Sequence, residues 1–97
     1  MRIISRKALR TYWEEHAEAQ EVLDDWFRKI KAVEAHNIVE LGRTFPSADL
    51  VGLCLVFNVG GNNLRVITHV DFGLKIVWIR AVLSHAEYSK ERWKTDC

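Results

Sequence analysis

The chain has 97 residues, 48% of them hydrophobic, and a formal net charge of +1 at pH 7. This length suits one hydrophobic core, so the sequence predicts a single domain over residues 1–97. The near-neutral charge excludes proteins that bind nucleic acid mainly through bulk charge, so an RNA contact would be a local basic pocket. No apolar run approaches the roughly 20 residues that span a bilayer, which argues against a membrane partner.

The cysteines and histidines argue against a disulfide framework or a metal centre. Cys54 falls within a predicted strand and Cys97 at the end of the sequence, a spacing that predicts neither metal ligation nor a disulfide. The four histidines lack the spacing of zinc ligands, and no P-loop or dinucleotide motif is present. Because residues 1–5 also lack the apolar core of a signal peptide, we expect reduced thiols, a cytoplasmic location and no cofactor.

The first half of the chain is predicted to be helical. Residues 1–4 suit a short strand, and Ser5 suits the N-cap of the helix that follows. Apolar side chains then recur at helical spacing in two successive segments, namely Leu9, Tyr12, Trp13, His16 and Ala17, then Val22, Leu23, Trp26, Phe27, Ile30 and Val33. These segments predict a helical hairpin. Residues 35–44 suit either a loop or a short helix, and residues 45–49 suit a turn.

The second half predicts an antiparallel sheet. Strand candidates at residues 50–59, 64–72 and 75–83 are joined by short connections, which favour antiparallel neighbours. Residues 60–63 have the sequence Gly-Gly-Asn-Asn, a hairpin turn in which Asn62 is a turn residue. Residues 85–93 suit a short helix or an irregular tail. The predicted fold class is α+β, with an N-terminal strand and a helical hairpin packed on a three- to four-stranded antiparallel sheet.

The side chains with the clearest chemistry are Arg65, Arg80, His85 and Tyr88, which follow or lie within the predicted strands. Arginine presents a fixed fork of donors that matches a phosphate, and histidine exchanges protons near neutral pH. This combination without a metal suits cleavage of RNA by its own 2′-hydroxyl, in which arginines stabilise the charged phosphorane. Each residue alone also has an ordinary explanation: solvent-facing strand arginines, a capping histidine or a packing tyrosine.

Several short motifs in one order resemble the HigB family of bacterial toxins. They are Phe45-Pro46-Ser47-Ala48-Asp49, Val56-Phe57-Asn58-Val59-Gly60-Gly61-Asn62 with Leu64-Arg65-Val66, Ile79-Arg80, and Ser84-His85-Ala86-Glu87-Tyr88. The resemblance covers almost the entire chain. It implies a RelE-like fold and an mRNA interferase, that is, a metal-independent endoribonuclease that stops translation, in many relatives by cutting mRNA on the ribosome.

The same resemblance implies partners and residue roles. The implied partners are mRNA, the ribosome and a HigA-type helix-turn-helix antitoxin, with operator DNA contacted only through the antitoxin complex. By position, Arg65 and Arg80, the latter at the end of the third strand, would hold the scissile phosphate. His85 and Tyr88 would transfer protons, and Asn58 would contact the substrate.

Two features depart from the wider RelE-like pattern. Residues 53–56 supply no lysine on the strand before the hairpin turn, and Ser89 follows Tyr88 where relatives often carry an acid. The sequence therefore leaves open which group is the general base. The alternative function is a non-catalytic RelE-like module, a degenerate toxin that binds RNA or a protein. Such a module would tolerate loss of His85 but would lose affinity when Arg65 or Arg80 is neutralised.

Overall fold

The computed structural model describes residues 1–61 and 63–97. The α-helices are α1 (Arg6–Glu15), α2 (Gln20–Ala32), α3 (Ile38–Thr44) and α4 (His85–Ser89), with 3-10 segments at Ala17–Ala19 and Arg92–Asp96. The strands are β1 (Arg2–Ile4), β2 (Asp49–Val51), β3 (Cys54–Val59), β4 (Leu64–Asp71) and β5 (Ile76–Ser84). The turn role predicted for Asn62 lies outside the described residues. Within those residues, no helix is long and apolar enough to cross a bilayer.

The helical half follows the apolar spacing of the sequence. α1 and α2 are joined by the first 3-10 segment, and α2 buries the stripe formed by Leu23, Trp26 and Ile30. Ser5 occupies the N-cap of α1, although its side chain accepts no hydrogen bond from the described helix. Asn37 does cap α3, since its Oδ1 accepts a hydrogen bond of 2.9 Å from a backbone N–H in the first turn. The segment predicted as loop or helix is therefore helical.

The sheet has five strands in the order β1-β5-β4-β3-β2. β2 to β5 are antiparallel neighbours, as predicted, whereas β1 lies parallel to β5 with Arg2 opposite Ile76. A parallel pair needs a long crossover, which the elements between β1 and β5 supply. The N-terminal strand thus extends the predicted antiparallel sheet into a mixed one.

Alternation along the strands divides the core into two layers. On one face, Leu55 and Phe57 pack with the helices, and the Phe57 ring meets Trp26 edge-on at 5.3 Å between centroids. The other face is called the distal face below. Its apolar residues pack with Tyr88 and Trp93 from the C-terminal segment; they are Val51, Cys54, Val56, Ile67, Ala81, Leu83 and Cys97.

The single strand predicted over residues 50–59 is wrong, because β2 and β3 are separate strands joined by a tight turn. Gly52 in this turn has φ +58°, and a Cβ there would collide with the backbone carbonyl of Cys97. A glycine can adopt this left-handed conformation and tolerate the close approach. The apolar residues Leu50 and Leu53, both exposed, conceal the turn because they continue a strand-like composition.

The prediction of two reduced thiols is also wrong for this structure. Cys54 and Cys97 form a disulfide across a sequence separation of 43 residues. Packing of the last residues on the distal face brings the two side chains together, and the Leu53 N–H donates to the Cys97 carbonyl oxygen at 2.7 Å. The spacing of two cysteines in sequence does not contain this information, since it depends on where the C-terminal segment packs.

Candidate active site

The β3–β4 hairpin places Asn58 directly opposite Arg65. Arg65 in turn lies opposite Leu83 of β5, so it occupies the middle strand of three on the distal face. Only 6% of Arg65 is exposed, and its Nη1 donates to the Leu64 carbonyl oxygen at 3.1 Å. Packing and hydrogen bonding therefore hold this guanidinium in a defined orientation, whereas Asn58 is exposed.

A capping box begins α4 directly after β5. The Glu87 N–H donates to Ser84 Oγ at 3.2 Å, and the Ser84 N–H donates to Glu87 Oε1 at 3.1 Å. The His85 N–H donates to the Asn63 carbonyl oxygen at 3.0 Å, which joins the helix to the β3–β4 turn. The Ser-x-x-Glu pattern that predicts such a cap is present in the sequence at residues 84–87.

Arg65 and Tyr88 are in direct contact. The guanidinium carbon of Arg65 lies 4.8 Å from the centroid of the Tyr88 ring, within the range of a cation–π interaction. The same ring stacks on Trp93 with 4.9 Å between centroids and 15° between planes. The distal face thus holds a cation, a phenol and an indole in one continuous cluster.

His85 lies on the surface beside this cluster. It is the first residue of α4 and Tyr88 is the fourth, so both belong to one helical turn, as the His-x-x-Tyr spacing requires. Its side chain is exposed, and Nδ1 lies 3.5 Å from Ser89 Oγ, which itself donates to the His85 carbonyl oxygen at 2.9 Å. The imidazole is therefore accessible to solvent and to a ligand on the surface.

Arg80 is not at the end of its strand, which corrects the sequence prediction. β5 continues to Ser84, and Arg80 falls at a register shift between the pairs Ile67–Ala81 and Thr68–Ile79. At about 3.3 Å per strand residue, its backbone is about 10 Å along β5 from the residue opposite Arg65. The Arg80 side chain is exposed and makes no hydrogen bond or ion pair with another described residue. The structure therefore brings Arg65 and Tyr88 together but not Arg80.

A second feature adjoins the start of α4. Tyr12 of α1 and His16, the residue directly after that helix, stack at 4.3 Å and line a cavity of about 410 Å³ with Asn63 and Ser84. Burial raises the pKa of the Tyr12 hydroxyl, and the carboxylates of Glu87 and Glu18 raise it further. The capping carboxylate of α4 is thus electrostatically coupled to α1.

Trp93 is a site residue that local sequence patterns do not predict. Its segment suits either a short helix or an irregular tail, and nothing in its local sequence indicates a contact with Tyr88. As for metals, no group of three or more His, Cys, Asp or Glu side chains in the described part of the chain could hold an ion.

Residues 19–91 match a family described as the RelE-like toxic component of a toxin–antitoxin system. That family is HigB_toxin, and the match spans most of the chain, so the chain belongs to the HigB family of RelE-like toxins.

Individual relatives agree with this assignment. The chain is 31% identical over 93 residues to a protein named mRNA interferase HigB from Escherichia coli O6:H1, covering 93% of this chain and 90% of the relative. It is also 31% identical over 99 residues to the mRNA interferase toxin HigB of Escherichia coli K12 and to mRNA interferase HigB of Shigella flexneri. In both alignments, 91% of this chain and 88% of the relative are covered.

Proposed function

We propose that this HigB family member is an endoribonuclease that cleaves mRNA without a metal ion and thereby inhibits translation, with residues 1–97 acting as one toxin domain. The observation that carries the proposal is the contact between the Arg65 guanidinium and the Tyr88 ring, beside the exposed His85 on the same helix. The substrate is inferred from the relatives, which are named mRNA interferases.

The chemistry we assign is attack by the RNA 2′-hydroxyl on the adjacent phosphate. The 2′-oxygen bonds to phosphorus as the bond to the 5′-oxygen breaks, which leaves a 2′,3′-cyclic phosphate and a 5′-hydroxyl. One group accepts the 2′-hydroxyl proton and another donates a proton to the 5′-oxygen, and His85 and Tyr88 are the two groups assigned to these steps. Arg65 stabilises the negative charge that develops on the phosphorane.

The exposed Asn58 and Arg80 are assigned to substrate binding. Asn58 lies opposite Arg65, so an RNA strand bound over Arg65 would pass within reach of its amide. At the rise of a strand, the backbone of Arg80 is about 10 Å along β5 from the residue opposite Arg65. This spacing suits a contact between Arg80 and the RNA backbone.

The partners follow from charge and family. A net charge of +1 gives the chain little field with which to collect free RNA, which favours cleavage of mRNA on the ribosome. We further propose neutralisation by a HigA-type helix-turn-helix antitoxin, contact with operator DNA only through that complex, and a cytoplasmic location.

The experiment is inducible expression in bacteria of wild type, His85→Ala and His36→Ala, scored for growth and for cut sites in a reporter mRNA. His36 is the matched control, because it is an exposed histidine outside the candidate site, hydrogen-bonded to Glu40 at 3.1 Å. We expect growth arrest and defined cuts in wild type and His36→Ala, and loss of both in His85→Ala.

Two outcomes would contradict parts of the proposal. The same cuts from His85→Ala would keep the nuclease and remove His85 from its chemistry. A folded wild type that neither arrests growth nor cuts the reporter would make the non-catalytic binding module the better account.

A further inference from the structure

We propose that Trp93 is a positioning residue for RNA cleavage, which holds the ring of Tyr88 in its working position. The inference rests on the proposed function, and it concerns a residue beyond residues 19–91, the part of the chain that matches the HigB family. Trp93 does not need to touch RNA for this role, since it acts through Tyr88.

Two contacts join Trp93 to Tyr88. The rings stack at 4.9 Å and 15°, and Nε1 of Trp93 donates to the Tyr88 carbonyl oxygen at 2.9 Å. One residue therefore restrains both the ring and the backbone of Tyr88. Only 9% of Trp93 is exposed, and it packs in the apolar layer of the distal face with Val56 and Ile67. This packing ties the restraint to the sheet.

Helix α4 needs such a restraint. It has five residues, and none of them is fully buried. Helices this short are not stable by themselves, so their position depends on tertiary contacts. A cavity of about 360 Å³ lies along the helix, lined by Leu83, Glu87 and Trp93. Without Trp93, the cation–π contact with Arg65 would be the main contact left on the ring of Tyr88.

The chain around Trp93 is itself held at both ends. Glu91 adopts a left-handed conformation with φ +61°, and its N–H donates to the Tyr88 carbonyl oxygen at 3.1 Å, which reverses the chain after α4. At the other end, the disulfide from Cys97 to Cys54 and the bond from Leu53 attach the last residue to the β2–β3 turn. The attachment of Cys97 therefore holds the segment that carries the indole to the sheet independently of α4.

The test is a double-mutant cycle on cleavage of a ribosome-bound reporter mRNA. Trp93→Met keeps an apolar side chain that can fill the space of the indole, and Trp93→Phe keeps a ring that can stack. Each variant is made both in the wild-type background and in the Tyr88→Phe background. We expect Trp93→Met to lower the maximal rate about 10- to 100-fold, the scale of a small misplacement of a reacting group, with the half-saturating concentration unchanged. Trp93→Phe should retain most of the rate.

The Tyr88→Phe background separates positioning from general stability. If Trp93 acts by placing the phenol, Trp93→Met should cause no further loss of rate once the hydroxyl is gone. An equal loss in both backgrounds would overturn the inference, and so would a wild-type rate from Trp93→Met. A wild type that cuts no RNA would overturn the proposed function and this inference with it, whereas the other outcomes concern Trp93 alone.

A second readout does not depend on Trp93→Met. Stacking on an indole moves the ring protons of Tyr88 upfield, so the NMR spectrum of the wild type should show this displacement and Trp93→Phe should largely keep it. Tyr88 ring shifts equal to those of a solvent-exposed tyrosine would overturn the inference, even if Trp93→Met does not fold.

Discussion

The guanidinium carbon of Arg65 lies 4.8 Å from the centre of the Tyr88 ring, although the residues belong to different elements, β4 and α4. The ring covers a cation that is already oriented by the Leu64 carbonyl, so the two side chains cannot be moved independently. A buried cation beside a phenol is suited to stabilise negative charge, because little solvent is present to screen it.

Because Arg65 is held in a defined orientation, we expect the planar shape of its guanidinium to matter for the cleavage rate as well as its charge. Arg65→Lys should lower the cleavage rate about 10²-fold, because lysine keeps the charge but loses the planar fork of donors. Arg80→Lys is the matched control, and its rate should stay within a few-fold of wild type, since Arg80 is exposed and forms no fixed contact among the described residues. The measurement is the initial rate of reporter cleavage, and equal losses from the two variants would contradict the prediction.

The assigned proton transfers predict that Tyr88→Phe lowers cleavage by about 10²–10⁴-fold, the usual contribution of a positioned acid or base. The substitution keeps the ring, so stacking on Trp93 and packing against Arg65 should persist. Thermal unfolding should therefore shift by less than about 4 °C. The control is Tyr12→Phe, which removes the phenol hydroxyl of the other tyrosine in the chain. A Tyr88→Phe protein that cuts at the wild-type rate would remove the phenol from the mechanism.

The disulfide predicts a measurable contribution to stability. Cys97→Ser should lower the free energy of unfolding by about 2–4 kcal/mol, because the bond closes a loop across 43 residues and restricts the unfolded chain. Urea denaturation of both proteins under oxidising conditions measures the difference. Added reductant should destabilise wild type and leave Cys97→Ser unchanged, whereas equal midpoints throughout would show that the bond adds no stability.

The environment of Tyr12 predicts its titration. The chain has two tyrosines, so in a Tyr88→Phe background an ultraviolet titration reports Tyr12 alone. Burial and the Glu87 carboxylate raise the pKa of Tyr12 above its usual value of 10.0, and Glu87→Gln should lower this pKa because a negative neighbour is removed. A pKa that does not respond to Glu87→Gln would contradict the coupling between α1 and α4.

The raised pKa of Tyr12 determines the direction in which folding stability changes with pH. Because the folded-state pKa of Tyr12 is raised, its contribution to folding is fully present below the ordinary tyrosine pKa. The contribution is lost as the pH rises through the folded-state value, since the unfolded state then releases its proton first. Unfolding curves of the Tyr88→Phe protein should therefore show falling stability in this alkaline window, and Tyr12→Phe in the same background should remove that part of the change.

Local patterns in the sequence were sufficient for most of the secondary structure. The 3.6-residue spacing of apolar side chains locates α1 and α2, and the Gly-Gly-Asn-Asn segment locates the turn between β3 and β4, because both signals act within a few residues. The strand break at Gly52 was missed because apolar neighbours on both sides continue the strand composition. The glycine was the one available signal.

In the candidate site, the sequence likewise identifies some features and the tertiary structure decides the others. Arg65, His85 and Tyr88 could be selected from sequence because their side chains carry the chemistry and the family motif gives their spacing. Tertiary structure alone decided that Arg65 lies against Tyr88, that Arg80 falls at a register shift and does not join them, and that Trp93 stacks on the Tyr88 ring.

The sequence by itself determined the fold class, the helical hairpin and the residue types available for chemistry, since these depend on periodicity and on side-chain identity. The tertiary structure decided which distant groups meet, above all Cys54 with Cys97 across 43 residues and Tyr88 with Trp93. The physical reason is that such contacts form only when the C-terminal segment packs on the distal face. That packing is a property of the whole assembled sheet, and no local pattern in the chain encodes it.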